Sequence, residues 1–243
     1  MFSLLKKELN TFLQSAIGYI VMTVFLVVMS FFLWIDEGDS NLLTAGYATI
    51  QPFFSISPWI FMFLIPAITM RSFAEEKRTG TIELLFTRPI SDFSIIFTKY
   101  LAGILLVIVA LLPTLIYYLS IYQLGKPIGN IDSGEVVGSY LGLLFLASVF
   151  VSIGIFASSI TNDQIVAFVV AVFLCFVMYI GLESFSKLVG FKGLDFILIN
   201  IGINEHYMSL SRGVIDTRDV FYFVAVTGIF LLLTELKLKS RMW

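Results

Sequence analysis

Long apolar runs separated by short polar connections set the pattern of this 243-residue chain. The first run, residues 16–35, is long enough as a helix to cross a hydrocarbon core of about 30 Å. Further runs of similar length cover residues 53–70, 100–124, 139–160, 164–182 and 220–236. The pattern therefore predicts an all-α integral membrane protein with six transmembrane helices.

A different pattern precedes the first run. In residues 1–15, apolar positions such as Leu5 and Leu9 recur at helical spacing, and Lys6 and Lys7 fall on the other side. A helix of this kind lies in the membrane interface with its apolar face toward the lipid. The alternative is that residues 1–15 simply form the cytoplasmic end of the first span.

Two connections differ sharply in length. Residues 161–163 form a near-minimal turn, so the fourth and fifth spans are predicted to form an antiparallel hairpin. Residues 183–219 form a long connection that is apolar but interrupted by glycines such as Gly190 and Gly202. Apolar segments too short to span predict short helices that dip partway into the bilayer, as a re-entrant hairpin before the last span.

Composition agrees with membrane insertion and orients the chain. It is 58% hydrophobic and 13% charged, and its net charge of −2 gives no reason to expect nucleic acid as a partner. The termini and the connections on their side contain ten basic residues: Lys6, Lys7, Arg71, Lys77, Arg78, Arg88, Lys99, Lys237, Lys239 and Arg241. The other side contains five: Lys126, Lys187, Lys192, Arg212 and Arg218. Because basic residues favour the cytoplasmic side, both termini are predicted to be cytoplasmic.

Several kinds of chemistry lack their residues in this sequence. The middle of each predicted span has no Asp, Glu, Lys, Arg or His, which disfavours ion-driven transport and proton pumping. No Walker A loop is present, so ATP hydrolysis is expected in a partner subunit and the chain is not predicted to be an enzyme. His206 and Cys175 are the only residues of their types, and no metal or cofactor is predicted.

Small residues four apart predict close helix packing. Gly154 and Ser158 form one such pair in the fourth span, and Gly138 and Gly142 form another. Pairs of this kind let two helix backbones approach each other in lipid.

One stretch departs from the apolar pattern. Eight of the 32 charged residues (15 basic plus 17 acidic) lie between Arg71 and Asp92. Gly80 is predicted to interrupt the helix leaving the second span, residues 82–88 have room for a short helix, and Pro89 ends it. Ser91 is then a plausible N-cap for the third span.

That short helix combines an apolar centre with a charged rim. Ile82, Leu85 and Phe86 form the centre, and Glu83 and Arg88 are among the charges around it. Apolar anchors surrounded by charge are typical of a docking surface for another protein. The alternative is that the loop folds against the bilayer.

These residues also carry a family resemblance. The run FAEEKRTGTIELL at residues 73–85, followed by TRPIS at 87–91, resembles the first cytoplasmic loop of ABC-2 type transporter permeases. In that family a Glu-rich stretch, Gly-Thr, an apolar-Glu-Leu motif and Pro-x-Ser recur. The resemblance implies one permease domain over residues 1–243, with an interfacial connecting helix at 1–15, a coupling loop at 71–99 and an extracytoplasmic hairpin at 183–219.

The resemblance also implies a mechanism. The domain would be the permease subunit of an ATP-driven exporter in the inner membrane, paired with a cytoplasmic ABC ATPase and with a second permease protomer, identical or related. The coupling helix would seat in the ATPase and pass its motion to the spans. The implied ATPase-coupling residues are Glu75, Glu76, Arg78, Gly80, Thr81, Ile82, Glu83, Leu84, Leu85, Arg88 and Pro89.

Residues 205–219 look most like gliding-motility-associated permeases of this superfamily, which implies an auxiliary gliding-motility subunit as a further partner. Within this segment Arg212, Asp216 and Asp219 are candidates for an extracytoplasmic gate, although turn-forming and helix-capping roles are the simpler explanation. A second function stays open at this point: a non-transporting membrane scaffold that anchors an ATPase to a motility or secretion complex.

Overall fold

The computed structural model describes residues 2–38, 40–44, 46–83, 91–189 and 200–240, and the side chains of all of these except 186–189. The described part of the chain is helical and contains no β-strand. In chain order its helices are α1 Phe2–Leu13, α2 Ala16–Ser30, α3 Gln51–Thr69, α4 Arg71–Arg78, α5 Asp92–Leu111, α6 Leu115–Leu124, α7 Ser133–Ile160, α8 Gln164–Phe176, α9 Leu182–Val189, α10 Ile203–Leu210 and α11 Thr217–Lys239.

Six of the continuous helical segments are long and apolar enough to cross a membrane. They define the first to sixth spans: Ala16–Ile35, Gln51–Arg78, Asp92–Leu124, Ser133–Ile160, Gln164–Phe185 and Thr217–Lys239. The predicted number of transmembrane helices is therefore confirmed, together with the all-α membrane fold. Several spans are longer than the apolar runs because polar residues continue the helix beyond the hydrocarbon core.

The N-terminal helix is separate from the first span. α1 ends at Leu13, and the Ser15 hydroxyl donates to the Phe12 carbonyl and accepts from the Gly18 amide. A serine at this position satisfies an amide that the new helix would otherwise leave free. The chain thus turns between the two helices, as predicted for an N-terminal helix distinct from the span.

The fourth span forms the centre of the bundle. Within this single chain 72% of its most apolar stretch is buried, compared with 22% for the first span, 28% for the fifth and 22% for the sixth. Spans two, three, five and six all contact it. The interior of the chain is therefore filled by side chains, and the outer faces of the first, fifth and sixth spans are left for lipid or for another protein.

α9 continues from the fifth span, and α10 lies between the fifth and sixth spans. α10 packs on the fourth and sixth spans. Residues 190–199, which include the predicted glycine breaks Gly190 and Gly193, lie outside the described residues.

The bundle has two ends, which differ in the elements they contain. The charged end contains α1, α4 and the start of the third span, and the hairpin end contains α9, α10 and the start of the sixth span.

Candidate functional site

The predicted coupling segment begins in α4, the last part of the second span, which is separated from α3 by an interruption of the helix at Met70. One face of α4 presents Phe73, Ala74 and Lys77 to the fourth span. The adjacent face presents Glu76 to α1 and the third span. α4 is therefore enclosed by neighbouring helices on two sides.

Ser158 holds the face of α4 that packs on the fourth span. Its hydroxyl accepts from the amides of Phe73, at 2.9 Å, and Ala74, at 3.0 Å, and donates to the Met70 carbonyl at 3.0 Å. These backbone groups lie next to the helix break, where regular helical partners are missing. One serine of the fourth span thus joins α3 to α4 and holds both against itself.

Two more contacts tighten the same interface. The Lys77 ammonium donates to the Ser159 carbonyl at the end of the fourth span. One turn deeper, Gly154 lies so close to Thr69 that an added Cβ would approach the threonine hydroxyl to 2.0 Å. The pair Gly154 and Ser158, predicted to allow close helix approach, lies at this contact.

A buried lysine holds the adjacent face of α4, which carries Glu76. Lys99 Nζ lies 2.9 Å from Glu8 Oε1, 3.1 Å from Glu76 Oε2 and 2.7 Å from the Ser72 carbonyl oxygen. The Lys99 side chain is 1% exposed, so these acceptors replace the water that its charge has lost. The ammonium also lies 5.0 Å from the centre of the Phe73 ring.

Lys99 therefore joins three helices with one charge. Glu8 comes from α1, Glu76 from α4 and Lys99 from α5. The sequence prediction counted Lys99 as a loop charge and gave no role to Glu8. A lysine between Ile96 and Leu101 in an otherwise apolar stretch was the signal that could have identified a buried cation.

Beyond α4 the helix is interrupted where the sequence predicted. Gly80 has φ of +71°, a backbone conformation that favours glycine, and the Thr79 and Thr81 hydroxyls lie 2.9 Å apart across the turn. Arg78, Gly80, Thr81 and Glu83 are exposed. Ile82, predicted to face a partner, is half-buried and packs against the core of its own chain.

The remaining predicted coupling residues Leu84, Leu85, Arg88 and Pro89 lie outside the described residues. The chain is described again from Ser91, which precedes α5 in an extended conformation. The helix starts there as predicted, with Asp92 in its first turn, but the Ser91 side chain makes no capping hydrogen bond.

The contacts of the described residues include none that links the three candidate gate residues to one another. Arg212 is exposed, and Asp216 caps the sixth span by accepting from the Arg218 amide at 2.9 Å. Asp219 is buried, with one carboxylate oxygen 2.7 Å from His206 Nδ1. Asp216 thus has the capping role that sequence reasoning had weighed against a gate.

His206 is held on both sides of its ring. Nδ1 pairs with Asp219, Nε2 lies 2.9 Å from the Asn200 carbonyl oxygen, and the ring stacks on Tyr222 with 3.9 Å between centres. Both nitrogens are therefore engaged, and the histidine ties α10 to the sixth span. No group of three or more potential metal ligands occurs among the described residues.

Tyr207 anchors α10 from its other side, a contact that sequence reasoning missed. Its hydroxyl donates to the Phe54 carbonyl at 2.7 Å, near the start of the second span. Burial raises the pKa of the Tyr207 hydroxyl well above its ordinary value, and the nearby Tyr179 adds to the effect. A buried tyrosine flanked by polar residues gives no sequence signal for this partner.

No curated protein matches this chain. A family model does: the model of the ABC-2 family transporter protein matches residues 2–236. This match covers α1, the first five spans, the candidate coupling segment, the hairpin end and all but the last three residues of the sixth span. The chain therefore belongs to the ABC-2 transporter family and is the membrane-spanning permease subunit of an ABC transporter.

Proposed function

We propose that this permease subunit is part of an exporter driven by a separate cytoplasmic ATPase, which docks on the segment from Glu75 to Pro89. The observation that carries the proposal is the fixing of α4 on two faces, by Ser158 and by Lys99. A segment attached to so firmly held a helix can transmit force, because displacing α4 must displace the spans that hold it.

The described exposed residues suit the first contact. Arg78 and Glu83 offer charge at the tip beyond the spans, next to the turn at Gly80. ATP-driven closure of the ATPase would push on this tip. The push would pass through α4 into the second span directly, into the fourth through Ser158, and into the third and α1 through Lys99.

The proposed orientation places the charged end in the cytoplasm and the protein in the inner membrane. Its support is the excess of Lys and Arg on the side of the termini, which is the side of α4. A thiol introduced at Arg78 is then expected to resist a membrane-impermeant reagent in intact cells, and one at Glu37 to react.

A second permease protomer is the proposed partner within the membrane. The filled interior of one chain leaves the space between two protomers for a pathway. An apolar groove of about 430 Å³ between the second and fifth spans supports this surface; its lining includes Trp59, Phe63, Val169, Phe173 and Phe176. Large aromatic side chains in a groove are typical anchors at a protein interface.

This groove gives a direct test of the dimer. Under oxidation, the new thiols of two Phe173→Cys protomers are expected to form a disulfide cross-link. The wild-type protein, in which the native Cys175 is buried, gives the background level of cross-linking. Ile229→Cys is the matched control, because Ile229 is equally apolar and exposed but lies on the sixth span, away from the groove. Cross-linking at Ile229 and not at Phe173 would contradict the proposed interface.

The ATPase contact is tested by copurification. Glu83→Lys reverses an exposed charge at the proposed docking tip. It is expected to reduce ATPase recovery about tenfold or more, because one charged contact is lost. Glu37→Lys makes the same change at the opposite end of the bundle and is expected to have no effect. Equal recovery with Glu83→Lys and wild type would remove the docking claim.

The proposed cellular role is gliding motility, supported by the resemblance of residues 205–219. These residues include most of α10, the turn after it and the start of the sixth span. A strain carrying Glu83→Lys is expected to lose gliding while retaining the protein in its membrane. Normal gliding in that strain would argue against a role as the driven subunit and favour a scaffold.

A further inference from the structure

A cleft at the charged end has a charged mouth and an apolar inner part. Its volume is about 240 Å³, and α1, the second, third and fourth spans surround it. We call it the charged-end cleft; its lining residues include Lys7, Glu8, Arg71, Glu75, Glu76 and Lys99 at the mouth, and Ile68, Leu106 and Ile155 further in.

Most charges at the mouth are already paired. Lys99 binds Glu8 and Glu76, and Lys7 Nζ lies 3.4 Å from the other oxygen of Glu76. Two charges are left over, Arg71 and Glu75. Within the described part of the chain neither side chain has a hydrogen bond or an ion pair, and Arg71 Nε is buried without a partner.

The two unpaired charges lie one helical turn apart on the same face of α4. They have opposite signs and border the same cleft, yet they do not pair with each other. A buried guanidinium nitrogen without an acceptor is costly, and it marks a place where an acceptor from outside the chain would be stabilising.

The inner part of the cleft extends toward the middle of the membrane. Leu106 is the fifteenth residue of α5, so it lies about 20 Å along the helix from its first residue. Ile68, Leu106 and Ile155 form its apolar wall. A ligand that fills the cleft must therefore be polar at one end and apolar at the other.

We propose that the charged-end cleft binds one phospholipid with a phosphoethanolamine headgroup. Arg71 binds the phosphate, because a guanidinium donates two parallel hydrogen bonds to such an oxyanion. Glu75 accepts from the ammonium group. The glycerol and the first methylene groups of one acyl chain reach the apolar wall of Ile68, Leu106 and Ile155, and the rest of the chain lies outside the cleft.

The charge balance selects this headgroup over an anionic one. The mouth carries three basic residues, Lys7, Arg71 and Lys99, and three acidic residues, Glu8, Glu75 and Glu76. A purely anionic lipid would satisfy Arg71 but would lie against the unpaired carboxylate of Glu75. A zwitterion satisfies both, and a cleft of about 240 Å³ has room for a small headgroup.

The test uses the full-length protein, purified and delipidated in detergent, with bound lipid counted by native mass spectrometry. Dioleoyl phosphatidylethanolamine is expected to bind about tenfold more tightly than the phosphatidylglycerol with the same chains, since one charge-assisted contact separates them. Glycerophosphoethanolamine, which lacks acyl chains, is the soluble arm and is expected to bind far more weakly than the lipid.

Two substitutions separate the two headgroup contacts. Arg71→Gln is expected to weaken the binding of both lipids about tenfold. Glu75→Gln is expected to abolish the preference between them. Arg78→Gln, on the same helix but exposed and outside the cleft, is the matched control and is expected to change neither.

Several results would overturn the proposal. Equal affinity for the two lipids in the wild type, an unchanged preference in Glu75→Gln, or as large a loss in Arg78→Gln as in Arg71→Gln would overturn the proposal. Equal binding of the soluble headgroup would show a site for a soluble ligand and overturn the lipid assignment. Because Arg71 and Glu75 have no partners within the described chain, neither substitution removes a contact needed for folding.

Discussion

The two ends of the bundle solve the same packing problem with different contacts. At the charged end, Lys99 and Ser158 each join several elements at once, and their partners are largely buried. At the hairpin end, α10 is held by His206 and Tyr207, each of which makes its own separate contacts. We therefore expect the charged end to move as a unit and the hairpin end to loosen contact by contact.

This difference bears on how a driven permease would work. A rigid end is suited to receive force, because little of the motion is lost in local bending. A hairpin held by separable contacts is suited to open at the far end of the same spans. Substitutions at each end test this contrast.

Lys99→Met is expected to be the most damaging change. It leaves Glu8 and Glu76 without their shared cation in a buried site, and breaking a buried ion pair from one side costs about 3–5 kcal/mol. The free energy of unfolding in mixed detergent measures the loss. Lys7→Met is the control, since its side chain is 58% exposed and its pairing with Glu76 is expected to contribute little. Equal losses of unfolding free energy in the two variants would mean that Lys99 does not hold the three helices together.

Gly154→Ala tests the close approach of the second and fourth spans. The new Cβ would meet the Thr69 hydroxyl at 2.0 Å, and overpacking of this kind costs about 2–3 kcal/mol. Gly228→Ala is the matched control, because a Cβ there meets nothing within 4 Å. It is expected to be neutral or slightly stabilising. The same unfolding measurement ranks both, and no difference between the two alanines would contradict the tight contact.

His206→Phe tests the hairpin end. Phenylalanine keeps the stacking on Tyr222 but removes both ring nitrogens, so Asp219 loses its partner at a cost of about 1–2 kcal/mol. We expect faster amide hydrogen exchange in α10, with little change in α4. Glu205→Gln, at an exposed neighbouring position, is the control. Loosening of both ends together would refute the idea that the hairpin contacts are separable.

Tyr207→Phe is expected to have the smallest effect, about 1 kcal/mol, from the lost hydrogen bond to the Phe54 carbonyl. It also changes the pH dependence. Because burial raises the pKa of Tyr207 in the folded protein, its contribution is complete below pH ~10. Above that pH the unfolded chain loses the proton first, and stability falls. Stability curves of wild type and variant should therefore approach each other above pH ~10, and parallel curves would exclude the effect.

Hydropathy predicted the spans because their cause is local. A helix that crosses lipid needs a run of apolar residues, and that run is visible in the sequence whatever packs against it. The turn at Gly80, the start of α5 after Ser91 and the cap at Asp216 were predicted for the same reason, since each depends on the residues next to it.

The contacts that hold the helices together at the candidate site link residues that are far apart in the sequence. For this reason the sequence analysis did not predict them. Glu8 meets Lys99 across 91 positions, and Ser158 reaches the backbone of Phe73 across 85. Gly154 and Ser158 were predicted to allow close packing, but the sequence could not show that the serine would bridge a helix break. Leu84, Leu85, Arg88 and Pro89 stay predictions.

The central claim is that a partner ATPase applies its force at the tip beyond Gly80. The most direct measurement places a photo-cross-linking amino acid at Glu83 in cells, with the same group at Glu37 as the control. We predict a cross-linked product between residue 83 and a Walker-type ATPase, which increases when ATP is trapped, and none from residue 37. A product from residue 37, or labelling of lipid alone from residue 83, would contradict the account.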